Sequence, residues 1–240
     1  MSKFKKIQRF IGATVLACGA MTASSAEIRI DDLGNGVGVD LTISDGSLLD
    51  LFSSTTGLVG WAGTLGIWTG SIAFGTSNAL DVPTQVPEIH LTASGYSTGA
   101  GSLVISFSDN GFVGTGALTH FLSGVGGANN PGGTVSFSTY VDTANTLFGT
   151  TGPASTLLYG SSGLSGADFS GGSSVYSLVP DAPYALTLAT TLNHTQRGTS
   201  SADGTLRVPE PGTLGLLGAM LLAAGFVGTR RRVTGDAQSV

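Results

Sequence analysis

Charge is scarce in this sequence. Asp, Glu, Lys and Arg together make up 10% of its 240 residues, against about 25% in an ordinary soluble domain. A chain so poor in Lys and Glu lacks the residues that favour long surface helices, and its Gly, Ser and Thr content suggests a β-rich, turn-rich exported protein. Cysteine is nearly missing too. Cys18 stands alone within a segment that reads as a cleavable leader, so the mature chain has no thiol, no disulfide and no cysteine metal site. Basic residues are missing from the middle: between residues 27 and 209 only Arg29, Arg197 and Arg207 face thirteen acidic groups, a net charge of −10. A phosphate backbone is repelled by such a surface, which excludes nucleic acid as a partner. Disorder is excluded as well, because hydrophobic residues reach 41% and recur at regular spacing.

Long apolar runs occur at two places only. Lys3, Lys5, Lys6 and Arg9 precede an apolar run from Phe10 to Met21, and Thr22-Ala23-Ser24-Ser25-Ala26 follows. These are the three regions of a secretory signal peptide, with small residues at Ser24 and Ala26 placing the cut between Ala26 and Glu27. The run is short for a membrane anchor. Lipoprotein processing at Cys18 is the other reading, against which stands the bulky Leu16 in the preceding Val15-Leu16-Ala17.

Near the other end, Val208-Pro209-Glu210-Pro211 is extended and exposed, because two prolines around a carboxylate continue neither a ladder nor a helix. Residues 213–228 carry no charge and as a helix of ~1.5 Å per residue come close to the ~30 Å hydrocarbon core. Arg230-Arg231-Arg232 follows, a stop signal that fixes this end in the cytoplasm. The alternatives are a plain anchor or a buried apolar helix; the proline prefix argues against the first and the arginine cluster against the second.

The order of Val208-Pro209-Glu210-Pro211, Gly-rich apolar segment and Arg230-Arg231-Arg232 resembles the PEP-CTERM sorting signal of Gram-negative bacteria, also known as the ice-binding protein C-terminal domain. The resemblance covers residues 208–232, about a tenth of the chain. It implies recognition by a membrane-embedded exosortase, cleavage near Pro-Glu-Pro and release to the cell surface or the extracellular matrix of exopolysaccharide- and biofilm-forming species. It does not make the cargo an antifreeze.

The organisation expected is therefore a signal helix at 1–26, a domain at 27–193, a polar linker at 194–207, a sorting signal at 208–232 with a transmembrane helix at 213–228, and a cytoplasmic tail at 233–240. The domain reads as all-β. Val37, Val39, Leu41 and Ile43 alternate with polar residues, as do Leu103, Ile105 and Phe107, then Val135, Phe137, Thr139 and Val141, then Tyr184 through Leu192. Ile89–Ala93 and Val175–Val179 are shorter strands, and Trp61–Phe74 suggests a strand pair buried on both faces. Turns are expected at Asp45-Gly46, Asn110-Gly111, residues 129–133 and Gly171-Gly172. Such a pattern suits an antiparallel β-sandwich, jelly-roll-like; a β-helix is the alternative, but no fixed period supports it. The strands from Ser102 to Asp109 and from Val135 to Asp142 are loosely similar to those of other exported PEP-CTERM proteins of unknown activity.

Chemistry is harder to find. His90, His120 and His194 stand without partners at metal-ligand spacing and read as solvated or strand-face residues. Gly163-Leu164-Ser165-Gly166-Ala167 lacks the spacing and context of a nucleophile elbow. Asp31-Asp32-Leu33-Gly34-Asn35-Gly36 and Ser108-Asp109-Asn110-Gly111 offer oxygens to Ca²⁺, with Asx turns as the simpler reading and no cofactor otherwise implied. Trp61 and Trp68 read as core rather than as a sugar-stacking pair. The sequence points to a non-enzymatic exported surface or matrix protein whose partners are signal peptidase, exosortase, the membrane before processing, and exopolysaccharide. A carbohydrate-binding or adhesive module is the alternative, and a glycan-active hydrolase built on paired carboxylates the third reading.

Overall fold

A computed structural model describes residues 26–78, 87–113, 118–178 and 182–209. These residues form twelve strands: β1 (Glu27–Asp32), β2 (Leu41–Ser44), β3 (Leu58–Leu65), β4 (Trp68–Ser77), β5 (Glu88–Ser97), β6 (Gly101–Val113), β7 (Leu118–Asn129), β8 (Gly133–Asp142), β9 (Ser155–Leu164), β10 (Phe169–Leu178), β11 (Pro183–His194) and β12 (Gly198–Arg207). The all-β expectation holds. Every pairing is antiparallel, in a first sheet ordered β2-β1-β6-β11-β8-β9 and a second ordered β10-β7-β12-β5-β4-β3.

The period-two pattern positions the core. Leu103, Ile105 and Phe107 of β6, Val135, Phe137 and Val141 of β8, and Leu186, Leu188 and Leu192 of β11 are buried, and their neighbours along the chain face outward or lie part-buried. They meet Trp68, Ile89, Leu91, Phe121, Val125 and Leu206 of the second sheet in one cluster. Two polar bridges cross this core: Ser123 Oγ and Thr139 Oγ1 are 2.8 Å apart, and Ser200 Oγ lies 2.8 Å from His194 Nε2. The sheets approach closely where one of them carries glycine. A Cβ on Gly204 would lie 2.3 Å from the Phe137 ring, and one on Gly75 would lie 2.2 Å from Phe107.

Several expectations are corrected. Residues 194–207 are no linker: β11 extends to His194, and β12 is a central strand between β7 and β5. Its inward row is Gly198, Ser200, Ala202, Gly204 and Leu206, an alternation of size too small to read as hydrophobic. Val37 and Val39 lie outside β2 and are exposed, since Gly36 and Gly38 at φ 139° and 102° break the ladder around them. Asn110-Gly111 makes no strand-to-strand turn. It is a bulge inside β6 at φ 83°, two residues opposite Ala185 of β11. Gly171-Gly172 lies inside β10, where a Cβ on Gly171 would strike the Tyr159 hydroxyl and one on Gly172 the Ser123 carbonyl. The β3–β4 pair is real but buried on one face, with Ala62 and Thr64 exposed. The turns at Asp45-Gly46 and at residues 129–133 are where expected.

The signal helix (apart from Ala26), Glu210, Pro211, the apolar segment 213–228 and Arg230, Arg231 and Arg232 lie outside the described residues. Among the described residues no helix is long and apolar enough to cross a membrane. Ala26 is buried with its carbonyl accepting from Asp45 N, and Glu27 opens β1. At the far end Val208 is buried and donates to the Pro87 carbonyl at 2.9 Å, one residue after β12 ends.

Candidate functional site

The register of the first sheet builds a trough on its outer face. Arg29 of β1 pairs with Ser106 of β6, Ser106 with Ala189 of β11, Ala189 with Ser138 of β8, and Ser138 with Gly160 of β9. Opposed residues in a sheet share a face, so three small side chains and a glycine lie in line across β6, β11, β8 and β9. The next row out is Asp31, Val104, Thr191 and Ser136. At strand spacings of about 4.8 Å the line from Ser106 to Gly160 spans roughly 14 Å and reaches roughly 19 Å with Arg29 included. Its deeper half is lined by Ser136, Ser138, Tyr140, Ser161, Ser162, Ala189 and Thr191, with exposed Leu157 on its lip. No charged side chain lines that half. The Ser161 hydroxyl, opposite inward-facing Phe137, is buried with no hydrogen-bond partner among the described residues.

One side of the trough is raised by the loop from Thr143 to Gly149. Thr187 belongs to the outward row of β11, yet it is buried with Ser108 beneath this loop. Asp142 holds the loop base: its Oδ1 accepts from Ala144 N and Thr146 N at 2.9 and 3.1 Å, and its Oδ2 accepts from Ser155 Oγ at 2.7 Å. Phe148 N donates to Ser108 Oγ at 3.0 Å, Gly111 N donates to Asn145 Oδ1 at 2.8 Å, and the Arg29 guanidinium sits 3.9 Å from the Phe148 ring centre. Asn145 and Phe148 have φ of 59° and 55°, a conformation that is costly for a side chain as large as Phe. These bonds over-determine the loop and keep it raised.

The residues singled out from sequence are not brought together. His90 Nε2 lies 2.7 Å from Asp203 Oδ1 on the outer face of the second sheet, and Thr92 Oγ1 donates to Asp203 Oδ2 at 3.0 Å. Among the described residues no hydroxyl is bonded to the far side of that imidazole, as a nucleophile–base–acid relay requires. His120 stacks on Tyr176 at 4.5 Å and bonds Ser174. Of the two readings for His194, solvated or strand-face, the second holds: it ends β11 and is buried beside Trp68 at 5.4 Å, and that burial lowers its pKa below the usual imidazole value. Trp68 is core, whereas Trp61 is half-buried on β3. Ser165 lies exposed in the β9–β10 connection.

The loops considered for Ca²⁺ are tied up internally. Asp32 Oδ1 accepts from Gly34 N at 3.1 Å, while Asp40 accepts from Asp32 N at 2.8 Å and from Asn35 Nδ2 at 3.3 Å. Asp109 Oδ1 accepts from Asn110 N at 2.7 Å. Burial, then the nearby Asp40 and Asp32 charges, raises the Asp31 pKa. Among the described residues no group of three or more His, Cys, Asp or Glu side chains is placed to hold a metal ion.

Sequence reasoning missed the trough. The only signal for it was that the outward positions of β6, β8 and β11 carry Ser, Thr, Ala and Val where Lys and Glu are usual.

No family model matches the chain, and no curated protein matches it. Among solved structures it is similar to the enzymatically active domain of tailspike protein 4 of bacteriophage CBA120, at 10% identity and a TM-score of 0.29, covering 60% of this chain and 20% of that one. The chain thus spans a fifth of that structure's length. It is also similar to the K2 and K1 cleaved adhesin domains of Lys-gingipain, the latter from Porphyromonas gingivalis W83. Both are 10% identical, with TM-scores of 0.25 and 0.26, covering 65% and 75% of this chain and 94% and 96% of theirs. Likeness this distant carries no functional argument.

Proposed function

We propose that this chain is an exported surface or extracellular-matrix protein with no catalytic activity of its own, secreted through its leader, held briefly in the membrane and processed by an exosortase. The observation that carries the reading is the sequence order of Val208-Pro209-Glu210-Pro211, apolar segment and Arg230-Arg231-Arg232. The end of β12 at Arg207 supports it, since a protease site directly after the last core strand can be cut without opening the domain. The domain itself reads as a jelly-roll sandwich. From β5 onward one sheet runs β10-β7-β12-β5 and the other β6-β11-β8-β9, the interleaving of two Greek keys. Mass spectrometry of the protein from its native host tests the delivery route. Mature peptides starting at Glu27 and ending near Glu210 are expected; intact tails reaching residue 240 in surface protein would leave a plain anchor instead.

A second reading, a carbohydrate-binding module, is favoured by the trough. The half of the trough over β11, β8 and β9 is uncharged and hydroxyl-rich, and it presents donors and acceptors to a neutral polyhydroxylated chain. Partners would be neutral exopolysaccharides, with no metal required. A glycan array run with and without Ca²⁺ tests it on the wild type and on Ala189→Arg, which fills the floor; equal binding by both proteins would move the site elsewhere.

A further inference from the structure

Each sheet leaves two edges, and an open edge is a template for another strand. Three of the four are blunted. β2 is four residues long. β9 shifts register against β8 at two places, which twists its edge. β3 is bulged at Gly63/Thr64, and its Gly60 is covered from the open side: Gly60 N donates to Asp50 Oδ1 at 2.9 Å and Gly60 O accepts from Leu51 N at 2.9 Å. Among the described residues β10 has none of these devices, and its inward Ser173 Oγ donates to the Leu158 carbonyl of β9 at 3.2 Å. Its ten residues pair with β7 in ten consecutive steps without a shift, and the sequence Phe-Ser-Gly-Gly-Ser-Ser-Val-Tyr-Ser-Leu carries no charge and no proline. Among the described residues no loop or turn backbone bond reaches it.

We propose that β10 is a strand-addition edge for a second copy of this chain, the two β10 strands pairing antiparallel about a two-fold axis at Ser174. This inference is independent of the delivery route and of the trough. A two-fold interface must complement itself, and a neutral Ser/Gly strand does so, whereas like charges facing each other would be repelled. The axis position follows from the outward row Ser170, Gly172, Ser174 and Tyr176, all exposed. Centring on Ser174 puts each Tyr176, the one large side chain of that row, opposite the Gly172 of the other copy. An aromatic ring then covers the residue that lacks a side chain, a pairing that stabilises designed sheets. Val175 falls opposite Ser173 on the inner face. Two bodies each carrying −10 in residues 27–209 repel over about a Debye length, so association strengthens as salt is raised, the opposite of an ion-pair interface.

The test uses the full chain in a Cys18→Ser background with Ser174→Cys as the reporter. Residues facing each other across an antiparallel pair have Cα atoms about 4.5–5.5 Å apart, within bridging range of a disulfide. Gentle oxidation is expected to convert most of the Ser174→Cys chain to a covalent dimer, and more of it at higher salt. Ala62→Cys, exposed on the blunted β3 edge of the same sheet, is expected to stay monomeric. Tyr176→Lys in the wild-type chain is expected to lower the sedimentation-derived dimer fraction while moving the thermal melt by only the roughly 1–6 °C that loss of the His120 stack accounts for, a reading that does not depend on the cysteine variant folding. A monomeric Ser174→Cys chain with a wild-type melt overturns the proposal. So does equal dimer from Ala62→Cys, or an unmodified chain that sediments as a monomer at every salt concentration.

Discussion

Replacing Gly204 by Val tests whether residues 194–207 truly form a packed central strand. A Cβ at position 204 would lie 2.3, 2.5 and 3.3 Å from three atoms of the Phe137 ring. That ring is buried, packed near Tyr159, and has no open side into which to turn. Two further methyl groups worsen the overlap, so the sheets must separate locally or the ring must leave its rotamer. Overpacking of this kind costs about 1–3 kcal/mol, and the severity of the overlap places Gly204→Val at about 3. For a domain of this size each kcal/mol moves the melting midpoint by roughly 2–4 °C, so a drop of roughly 6–12 °C is expected by circular dichroism. Phe137→Ala alone should cost about 3–5 kcal/mol through its cavity. In the double variant the valine occupies part of that cavity, and the two losses should fall short of their sum by at least about 1 kcal/mol. Gly99→Val is the control, because nothing lies within 4 Å of its Cβ position. A melt for Gly204→Val equal to that of the wild type, or strict additivity with Phe137→Ala, would refute the packing and return the segment to a linker.

His194 gives a pH prediction. Burial lowers its pKa below the ordinary 6.5, so as pH falls through about 6.5 the unfolded chain binds a proton that the folded chain does not. Stability is full above that point and declines below it until the folded imidazole titrates, by up to about 1.4 kcal/mol per pH unit; His194→Gln should flatten this part of a urea-unfolding profile. Asp50 accepts from Gly46 N, Phe52 N and Gly60 N at 3.1, 3.0 and 2.9 Å, and Asp50→Ala strands three amides at once. A loss of about 2–4 kcal/mol is expected, together with faster hydrogen exchange at Gly60. If the leader is removed as proposed, the chain carries no cysteine and should melt at the same temperature with and without reductant; a shift would mean that Cys18 is retained.

How legible the fold was depended on residue size. Leu103-Val104-Ile105-Ser106-Phe107 and Val135 to Val141 declare their inward row because Leu, Ile, Val and Phe contrast with Ser and Thr. The inward row of β12 (Gly, Ser, Ala, Gly, Leu) is as deeply buried, yet hydropathy cannot separate it from the outward Thr, Ser, Asp and Thr. What fixes it inward is the partner sheet: Phe137 needs a bare backbone opposite, and that need is written in β8 and not in β12. The same non-local cause hid the bulge at Asn110-Gly111, since a dipeptide that reads as a turn serves inside a strand when Ala185 alone stands opposite. The trough was illegible because it is a register effect. Ser106, Ala189, Ser138 and Gly160 are unremarkable in four separate strands and line up only once the pairing is known.

The placement of the acidic groups sets up a test of the hydrolase reading. A glycosidase needs two carboxylates facing each other across a substrate, one free to give a proton and one free to attack or to take a proton from water. Here Asp32, Asp40, Asp50, Asp109 and Asp142 each accept from at least one backbone amide, and Asp45 accepts from Gly57 N at 2.7 Å. Amide donors on these carboxylates organise turns. Asp203 is more exposed, yet its two oxygens hold His90 and Thr92. These seven of the thirteen acidic groups between residues 27 and 209 are engaged within the domain, while the half of the trough over β11, β8 and β9 and the β10 edge carry no charge. An Asp203→Asn variant separates the two views. With a structural role its stability changes by less than about 1 kcal/mol, as expected for an exposed pair, and glycan turnover stays at the zero baseline of the wild type. Turnover detected in the wild type and lost in Asp203→Asn would restore the hydrolase.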